Sequence, residues 1–380
     1  MNKLKKVFFL LTFYLISANG ITEASEIYDF KGQLSFNYLG VDEPEKWQNL
    51  AVLRYIPDFT LHDNFSHDYL WAINASAIAS VNYQSYPESE LSSEASFYRL
   101  NAQLKTSQSD TVLGLQTINF GPAIILRSLR WFDEIKPTDP LALTEGVKGI
   151  RYRYFFSNNA NVWLWALYGN NDPKGYELVG TKENTVEAGA RFQYPLKTGE
   201  LGFTFHTRKT DGLAFSDTPV DEDLIEKRYA LDGKWDLGLG IWYEFVLIDQ
   251  GTDSQINSNW FKTLTLGADY TFAIGNGIHI MLEHLVNTLS EKAMTWDERT
   301  QTSALQLRYP IGILDAVSLM EIYSWTQSQG FHYLRWDRAY DNWAFSLGIF
   351  SAPNQSSNNS GLGPSGIYGN GLQFVIAFNH

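Results

Sequence analysis

The sequence contains no cysteine among its 380 residues. Disulfides, thiolate metal sites and cysteine nucleophiles are therefore excluded. The chain also lacks any apolar run approaching the about 18 residues that a transmembrane helix needs, which excludes a helical membrane protein. The net charge is −13, and an acidic chain without a basic patch argues against nucleic acid as a partner.

The first residues resemble a secretory signal. The basic start MNKLKK precedes the apolar stretch VFFLLTFYLISA, and Thr22-Glu23-Ala24 offers small residues for cleavage. An N-terminal membrane anchor would need a longer apolar run. We therefore predict that residues 1–24 are a cleaved signal peptide and that 25–380 form a single exported domain.

Short segments with strict alternation of apolar and polar residues make up most of residues 25–380. The pattern is clear in 28–38, 69–81, 186–194, 201–208 and 260–272. A soluble sandwich also alternates, but three features favour a membrane barrel: segments of about 10 residues, aromatic residues at segment ends, and short connections that alternate with long ones. The sequence predicts an all-β, transmembrane antiparallel β-barrel of about 18 strands, and a count of 16 also fits.

One connection is long, irregular and rich in charge. Residues 121–146 contain three prolines and charges of both signs, and irregular loops of this length usually have a function. We predict that this third external loop folds into the barrel and forms a constriction. The alternative is an ordinary external loop closed by its own salt bridges. The predicted constriction residues are Arg127, Arg130, Trp131, Asp133 and Glu134.

Basic residues on the polar faces of the strands are candidates for the lumen lining. These are Arg99, Lys105, Arg151, Arg153, Arg191 and Arg208. Acidic residues on the same predicted face include Glu187, Asp232, Glu244, Glu283 and Glu321. A basic wall opposite an acidic wall would select ions, whereas mutual pairing would only stabilise the barrel.

The sequence offers no recognisable catalytic or metal site. The histidines lie outside any nucleophile motif, and the acidic run Asp221-Glu222-Asp223 lacks the alternating ligands and the glycine of an EF-hand loop. We therefore predict no cofactor, no metal and no enzymatic activity, and we interpret the acidic run as part of a solvated external loop.

Two stretches carry a resemblance to a known family. The last strand, GNGLQFVIAFNH, resembles the C-terminal strand of outer-membrane proteins, although His380 replaces the usual terminal Phe. The stretch GLQTINFGPAIILRSLRWFD is similar to alginate-export-like Gram-negative porins. The resemblance implies a multi-pass barrel in the outer membrane, contact with its lipids and with the barrel-assembly machinery, and passage of an anionic polysaccharide.

The leading functional hypothesis is a porin for passive diffusion or export of small or anionic solutes, including saccharides. A surface anchor for adhesion or assembly, with a filled lumen, is the first alternative. An outer-membrane lipid-modifying enzyme is the second. The sequence leaves the solute, the ion preference and the oligomeric state open.

Overall fold

The computed structural model describes residues 27–43, 46–66, 68–85, 88–212, 219–251, 260–353 and 369–380. The predicted signal peptide lies outside these residues. No helix in the described ranges is long and apolar enough to cross a membrane.

Eighteen strands form a single antiparallel sheet. They are β1 (Tyr28–Glu43), β2 (Lys46–Ser66), β3 (Tyr69–Gln84), β4 (Glu90–Thr106), β5 (Ser109–Gln116), β6 (Val147–Phe155), β7 (Asn161–Tyr168), β8 (Val186–Leu196), β9 (Gly199–Gly212), β10 (Pro219–Asp236), β11 (Gly240–Asp249), β12 (Trp260–Phe272), β13 (Ile278–Ser290), β14 (Thr300–Pro310), β15 (Asp315–Ser324), β16 (Gln329–Ala339), β17 (Trp343–Ala352) and β18 (Gly369–Asn379).

Each strand pairs with its neighbours in the chain, and β1 pairs with β18, so that the sheet closes into a barrel. The closure continues to the C-terminal residue, because the amides of Gly32 and His380 each donate to the other's carbonyl at 3.0 Å. A closed sheet leaves no unpaired strand edge. The predicted all-β barrel and its strand count of 18 are confirmed.

Connections of different length leave the two rims of the barrel. The rim that holds both termini has turns of two to five residues, such as 197–198 and 156–160. The other rim, which we call the long-loop rim, carries 117–146, 169–185 and 291–299. On the same rim, β1 and β2 pair as far as Glu43 and Lys46.

The acidic run Asp221-Glu222-Asp223 lies in β10 and not in an external loop, so that prediction was wrong. The strand begins at Pro219, which pairs with Gly212 of β9, and the register shifts before Leu224. The acidic run therefore lies at an irregularity of the strand, between the paired residues Pro219 and Leu224.

Both faces of the sheet contain apolar side chains. The outward face has exposed residues such as Leu53, Leu113, Phe203 and Leu347. The inward face is also apolar on one side, where it meets the connection from β5 to β6. A buried cluster there contains Val41, Ala123, Ile125, Leu126, Trp242, Met281, Ala304, Met320, Ile322, Phe331, Tyr333, Phe350 and Ala352. The barrel interior is thus partly a packed core.

Candidate functional site

The chain between β5 and β6, residues 117–146, reaches strands on the far side of the barrel. Glu283 of β13 accepts hydrogen bonds from three successive backbone amides, those of Ile124 (2.7 Å), Ile125 (2.9 Å) and Leu126 (2.6 Å). Its side chain is 3% exposed. The carboxylate satisfies the amides of Ile125 and Leu126, which would otherwise be buried without a partner.

A second carboxylate holds the same segment from β11. Glu244 accepts from the amides of Ala123 and Leu129, both at 2.9 Å. Gly121, with φ of 95°, makes this approach feasible, because a Cβ there would lie 2.3 Å from the Glu244 carboxylate. Glu244 lies on the same face as the buried Trp242 and Val246, so the contact is with the interior of the barrel.

Hydroxyl groups of β12 complete the attachment between the two glutamates. Ser128 Oγ lies 2.9 Å from Thr263 Oγ1 and 2.7 Å from Thr265 Oγ1. Thr265 also donates to the carbonyl of Leu126 at 2.6 Å. Three adjacent strands, β11 to β13, thus bind residues 123–129, and together with the flanking apolar contacts they fix this stretch across the interior.

Arg127 is buried within the segment and does not project into open space. Its guanidinium forms an ion pair with both carboxylate oxygens of Asp133, one at 2.9 Å, and donates to Asn119 Oδ1 at 2.6 Å. Burial alone would lower the pKa of Arg127, but the hydrogen bond and the charge of Asp133 raise it. The guanidinium of Arg127 thus has its ionic partner within the segment itself.

The other predicted constriction residues take different positions. Arg130 is half-buried, stacks 4.1 Å from the ring centroid of Tyr176 and donates to the carbonyl of Gly175 at 3.3 Å. Trp131 is buried. Glu134 is exposed, and only its backbone amide bonds within the segment, to Thr144.

Trp131 belongs to an aromatic cluster that joins the segment to β6–β11. Phe120 packs edge-on against it, with ring centroids 5.8 Å apart. The buried members are Ile118, Phe120, Leu129, Trp131, Phe132, Val147, Trp163, Trp165, Leu167, Ala230, Val246 and Ile248. The segment is therefore packed on both sides of the barrel.

A second connection, residues 169–185 between β7 and β8, also bonds to inward-facing side chains. Lys174 Nζ lies 3.1 Å from Glu187, whose other oxygen lies 3.2 Å from His206 Nε2. Tyr176 donates its hydroxyl to the carbonyl of Arg127. The two inward connections are thus bonded to each other as well as to the wall.

One of the predicted lumen arginines, Arg208, is buried in a network of ion pairs beside this connection. Arg208 bonds to Glu226 at 2.7 Å and to Glu177 at 2.7 Å, and the two carboxylates are shared with Arg228. Both arginines are 1% exposed. These charges balance one another away from open space.

Arg191 forms a separate pair of the same kind. Its guanidinium binds both carboxylate oxygens of Asp232, at 2.6 and 2.8 Å. The side chain is buried, and it also donates to Thr204 at 2.8 Å and lies 5.2 Å from the ring centroid of Phe120.

The four remaining predicted lumen residues lie on β4 and β6 and are half-buried or exposed. Arg151 pairs with Asp110 at 3.2 Å. Arg153 lies 4.5 Å from the ring centroid of Trp163, and Arg99 donates to the carbonyl of Thr144 at 2.9 Å. The ion pairs within the described residues do not include Arg99, Arg153 or the exposed Lys105. This side of the interior, the β4–β6 wall, thus carries three basic side chains that form no ion pair with the described residues.

Glu321 was expected in the lumen but faces outward, so that prediction was wrong. Its neighbours Met320 and Ile322 are buried inside, and Glu321 pairs with the exposed His332 of β16. The alternation in β15 predicted the wrong orientation because inward residues such as Met320 and Ile322 are apolar. These residues pack inside the barrel, but in the sequence they cannot be distinguished from lipid-facing residues.

One histidine–serine pair, His284 and Ser303, has two of the three groups of a hydrolytic triad. His284 Nδ1 lies 2.9 Å from Ser303 Oγ on the outward face, and Ser303 also accepts from Trp325 Nε1 at 2.8 Å. A triad needs an acid bonded to the histidine, and the hydrogen bonds of the described residues include none. The described residues also hold no group of three or more potential metal ligands.

The chain is similar to solved structures in its fold but not in its sequence. No family model and no curated protein matches the chain. Among solved structures, Pseudomonas aeruginosa OccK2 (OpdF) aligns with a TM-score of 0.64 and 9% identity, over 93% of this chain and 98% of that one. The chain has the barrel fold of Gram-negative porins.

Two further solved structures support the same fold. Acinetobacter baumannii OccAB1 has a TM-score of 0.59 and 10% identity, over 96% of this chain and 97% of that one. Salmonella typhi OmpF, in complex with daunomycin, has a TM-score of 0.52 and 10% identity, over 93% and 97%.

Sequence reasoning did not identify the groups that hold the inward connections. Glu244 and Glu283 were recognised only as acidic residues on the inward face. The inward course of the connection 169–185 was not predicted, although its Lys174, Tyr176 and Glu177 offered polar groups for such contacts.

Proposed function

We propose that this protein is an outer-membrane channel for passive diffusion of small solutes. The observation that carries the proposal is a closed barrel of 18 strands whose longest connection is bound to the opposite inner wall. A barrel of this size encloses an aqueous channel unless something fills it. A segment fixed across the interior then determines the width of the passage.

In this proposal residues 117–146 form the constriction. The ion pair of Arg127 and Asp133 keeps the segment compact, while the half-buried Arg130 and the exposed Glu134 supply charge at its surface. Trp131 anchors the segment in the aromatic cluster and does not contact the solute.

The solute would pass along the β4–β6 wall. The interior beside β8–β13 is occupied by buried side chains and by the two inward connections, whereas Arg99, Lys105, Arg151 and Arg153 remain half-buried or exposed. Charge in a narrow, partly desolvated passage acts more strongly than charge in bulk water. We infer a preference for anionic solutes, including the anionic saccharides implied by the resemblance to alginate-export-like porins.

The two apolar clusters inside the barrel favour one alternative, a barrel with a filled lumen that serves as a surface anchor. Liposome swelling separates the two functions. The proposal predicts that proteoliposomes swell in small sugars and faster in small organic acids of similar size. Folded protein that leaves the liposomes impermeable to all of these solutes would favour the anchor.

A further inference from the structure

A lysine on the outer wall of the barrel is buried beneath a connection that folds back over it. Lys262 of β12 alternates with the inward-facing Thr263 and pairs with Leu247 and Thr288 on the outward faces of β11 and β13. The residue is nonetheless 0% exposed. The connection 291–299, which we call the outer strap, therefore lies against the outer wall and does not extend away from the long-loop rim.

The ammonium of Lys262 holds the outer strap in this position. Nζ donates to the carbonyls of Lys292, at 2.9 Å, and of Thr295, and also to the hydroxyl of Ser290 at the end of β13. Asp297 adds a negative charge nearby, and its carbonyl accepts from a threonine hydroxyl of β13. These bonds fix the strap on the outward side of the sheet.

Trp296 extends the contact between the strap and the wall. Its ring centroid lies 6.4 Å from that of Phe245 of β11 and 5.8 Å from Lys262 Nζ. Phe245 pairs with Leu264, which is two residues beyond Lys262 on the same face of β12. The strap thus reaches past the ammonium toward the middle of the barrel.

The buried lysine lies at the level of the membrane. Tyr270 and Phe272, on the same face of β12, are exposed aromatic residues beside the rim that holds both termini, where one aromatic girdle is expected. Lys262 precedes Tyr270 by eight residues, which is about 26 Å along the strand at about 3.3 Å per residue. At a tilt of about 40° this is a height of about 20 Å, within an apolar band about 25 Å tall. The strap that covers Lys262 therefore lies beside lipid.

The sequence of the strap suits this position. Charged residues stand only at its two ends, and the middle, residues 293–296, is uncharged. Within the middle, Met294 is 85% exposed and Trp296 is half-buried. Tryptophan is enriched where hydrocarbon meets headgroups. An uncharged middle can enter that boundary while the charged ends remain with the headgroups. The charged residues are Glu291, Lys292, Asp297, Glu298 and Arg299.

We propose that the outer strap, fixed by Lys262, places Met294 and Trp296 in the lipid at the outer-leaflet boundary. The inference rests on the proposed location in the outer membrane, with the long-loop rim outside. A buried charge is unfavourable unless hydrogen-bonding groups replace its water. The oxygens of the strap do this for the ammonium, and the strap presents apolar side chains to the lipid in its place.

The test places a fluorescent label at position 294 of the barrel in phosphatidylcholine nanodiscs. Because the chain contains no cysteine, Met294→Cys gives a single labelling site. We expect nitroxide-labelled phosphatidylcholine to quench this label and iodide in the water not to quench it. Leu178→Cys is the matched control, because Leu178 is an exposed apolar residue of a connection on the same rim that bonds inward. Its label is expected to show the reverse.

A second variant tests the role of the lysine. Lys262→Met, combined with Met294→Cys, removes the ammonium that holds the strap and keeps an unbranched side chain. The label is then expected to lose its protection from iodide. Lys227→Met removes an exposed lysine from the outward face of β10 and should leave the protection unchanged.

Heat-modifiability on gel electrophoresis identifies folded barrel in every sample. The proposal is overturned if iodide quenches the label at position 294 as strongly as the label at position 178. Protection that persists in Lys262→Met would also overturn it. So would protection found only in vesicles crowded with barrels, since a second copy would then cover the strap. Conductance judges the channel separately: a conducting barrel with a water-exposed strap refutes only the strap, and a silent barrel with a lipid-shielded strap refutes only the channel.

Discussion

Replacing Glu283 by alanine removes the acceptor of three backbone amides at once, and those of Ile125 and Leu126 are buried. Each buried donor left without a partner costs about 1–3 kcal/mol. The loss at Ile125 and Leu126 therefore destabilises the docked segment by about 2–6 kcal/mol. A change of about 5.5 kcal/mol shifts a two-state equilibrium from 1:99 to 99:1, and the loss of these hydrogen bonds approaches that size. We therefore expect residues 117–146 of the variant to be detached from the inner wall for a measurable fraction of the time.

Single-channel recording in planar bilayers measures this effect directly. Glu283→Ala is expected to give a larger mean conductance and more frequent current fluctuations than the unaltered barrel. Glu283→Gln keeps one carbonyl acceptor and should lie between the two. Glu321→Ala is the matched control, because Glu321 is the same residue type on a nearby strand but pairs outward with His332.

The reasoning would be refuted by a folded Glu283→Ala barrel whose conductance and current noise equal those of the unaltered protein. In that case the apolar contacts of the segment, and not its hydrogen bonds to β13, would hold it in place. A change of the same size in Glu321→Ala would also refute it, since that residue does not contact the segment.

Three further outcomes are expected. Replacing Arg99 and Arg153 together by Gln should lower the anion-to-cation permeability ratio in reversal-potential measurements, each charge contributing about 1 kcal/mol or more in the wet passage. Asp232→Asn leaves its buried guanidinium partner unpaired and should reduce the free energy of unfolding in urea by about 3–5 kcal/mol; an unchanged midpoint would contradict the buried pair. Tyr176→Phe removes one hydrogen bond to residues 117–146, worth about 1 kcal/mol, and should increase current fluctuations without changing ion preference.

The barrel was predictable because its strands obey a local rule. Alternation of period two defines which residues share a face, and connections of unequal length define the hairpins, so that the strand count and the closure of β1 on β18 follow from the sequence. The rule fails where the inward face is apolar. Glu321 was assigned to the wrong face because Met320 and Ile322 pack against the interior core and not against water.

The interior arrangement was predictable only in part, since it depends on contacts between residues far apart in the chain. The composition of 121–146 suggested an inward loop, but nothing local indicated that Glu283 would bind three of its amides. Arg127 was predicted to line the constriction, but its guanidinium is paired with Asp133. The basic side chains without an ion pair among the described residues lie on the β4–β6 wall.

The most direct test of the channel is the current through the unaltered protein in a planar bilayer under a potassium chloride gradient. The account predicts stepwise, ohmic conductance and a reversal potential displaced toward that of chloride. Folded, bilayer-inserted protein that passes no current would contradict the channel function. It would favour the alternative, a surface anchor with a filled lumen.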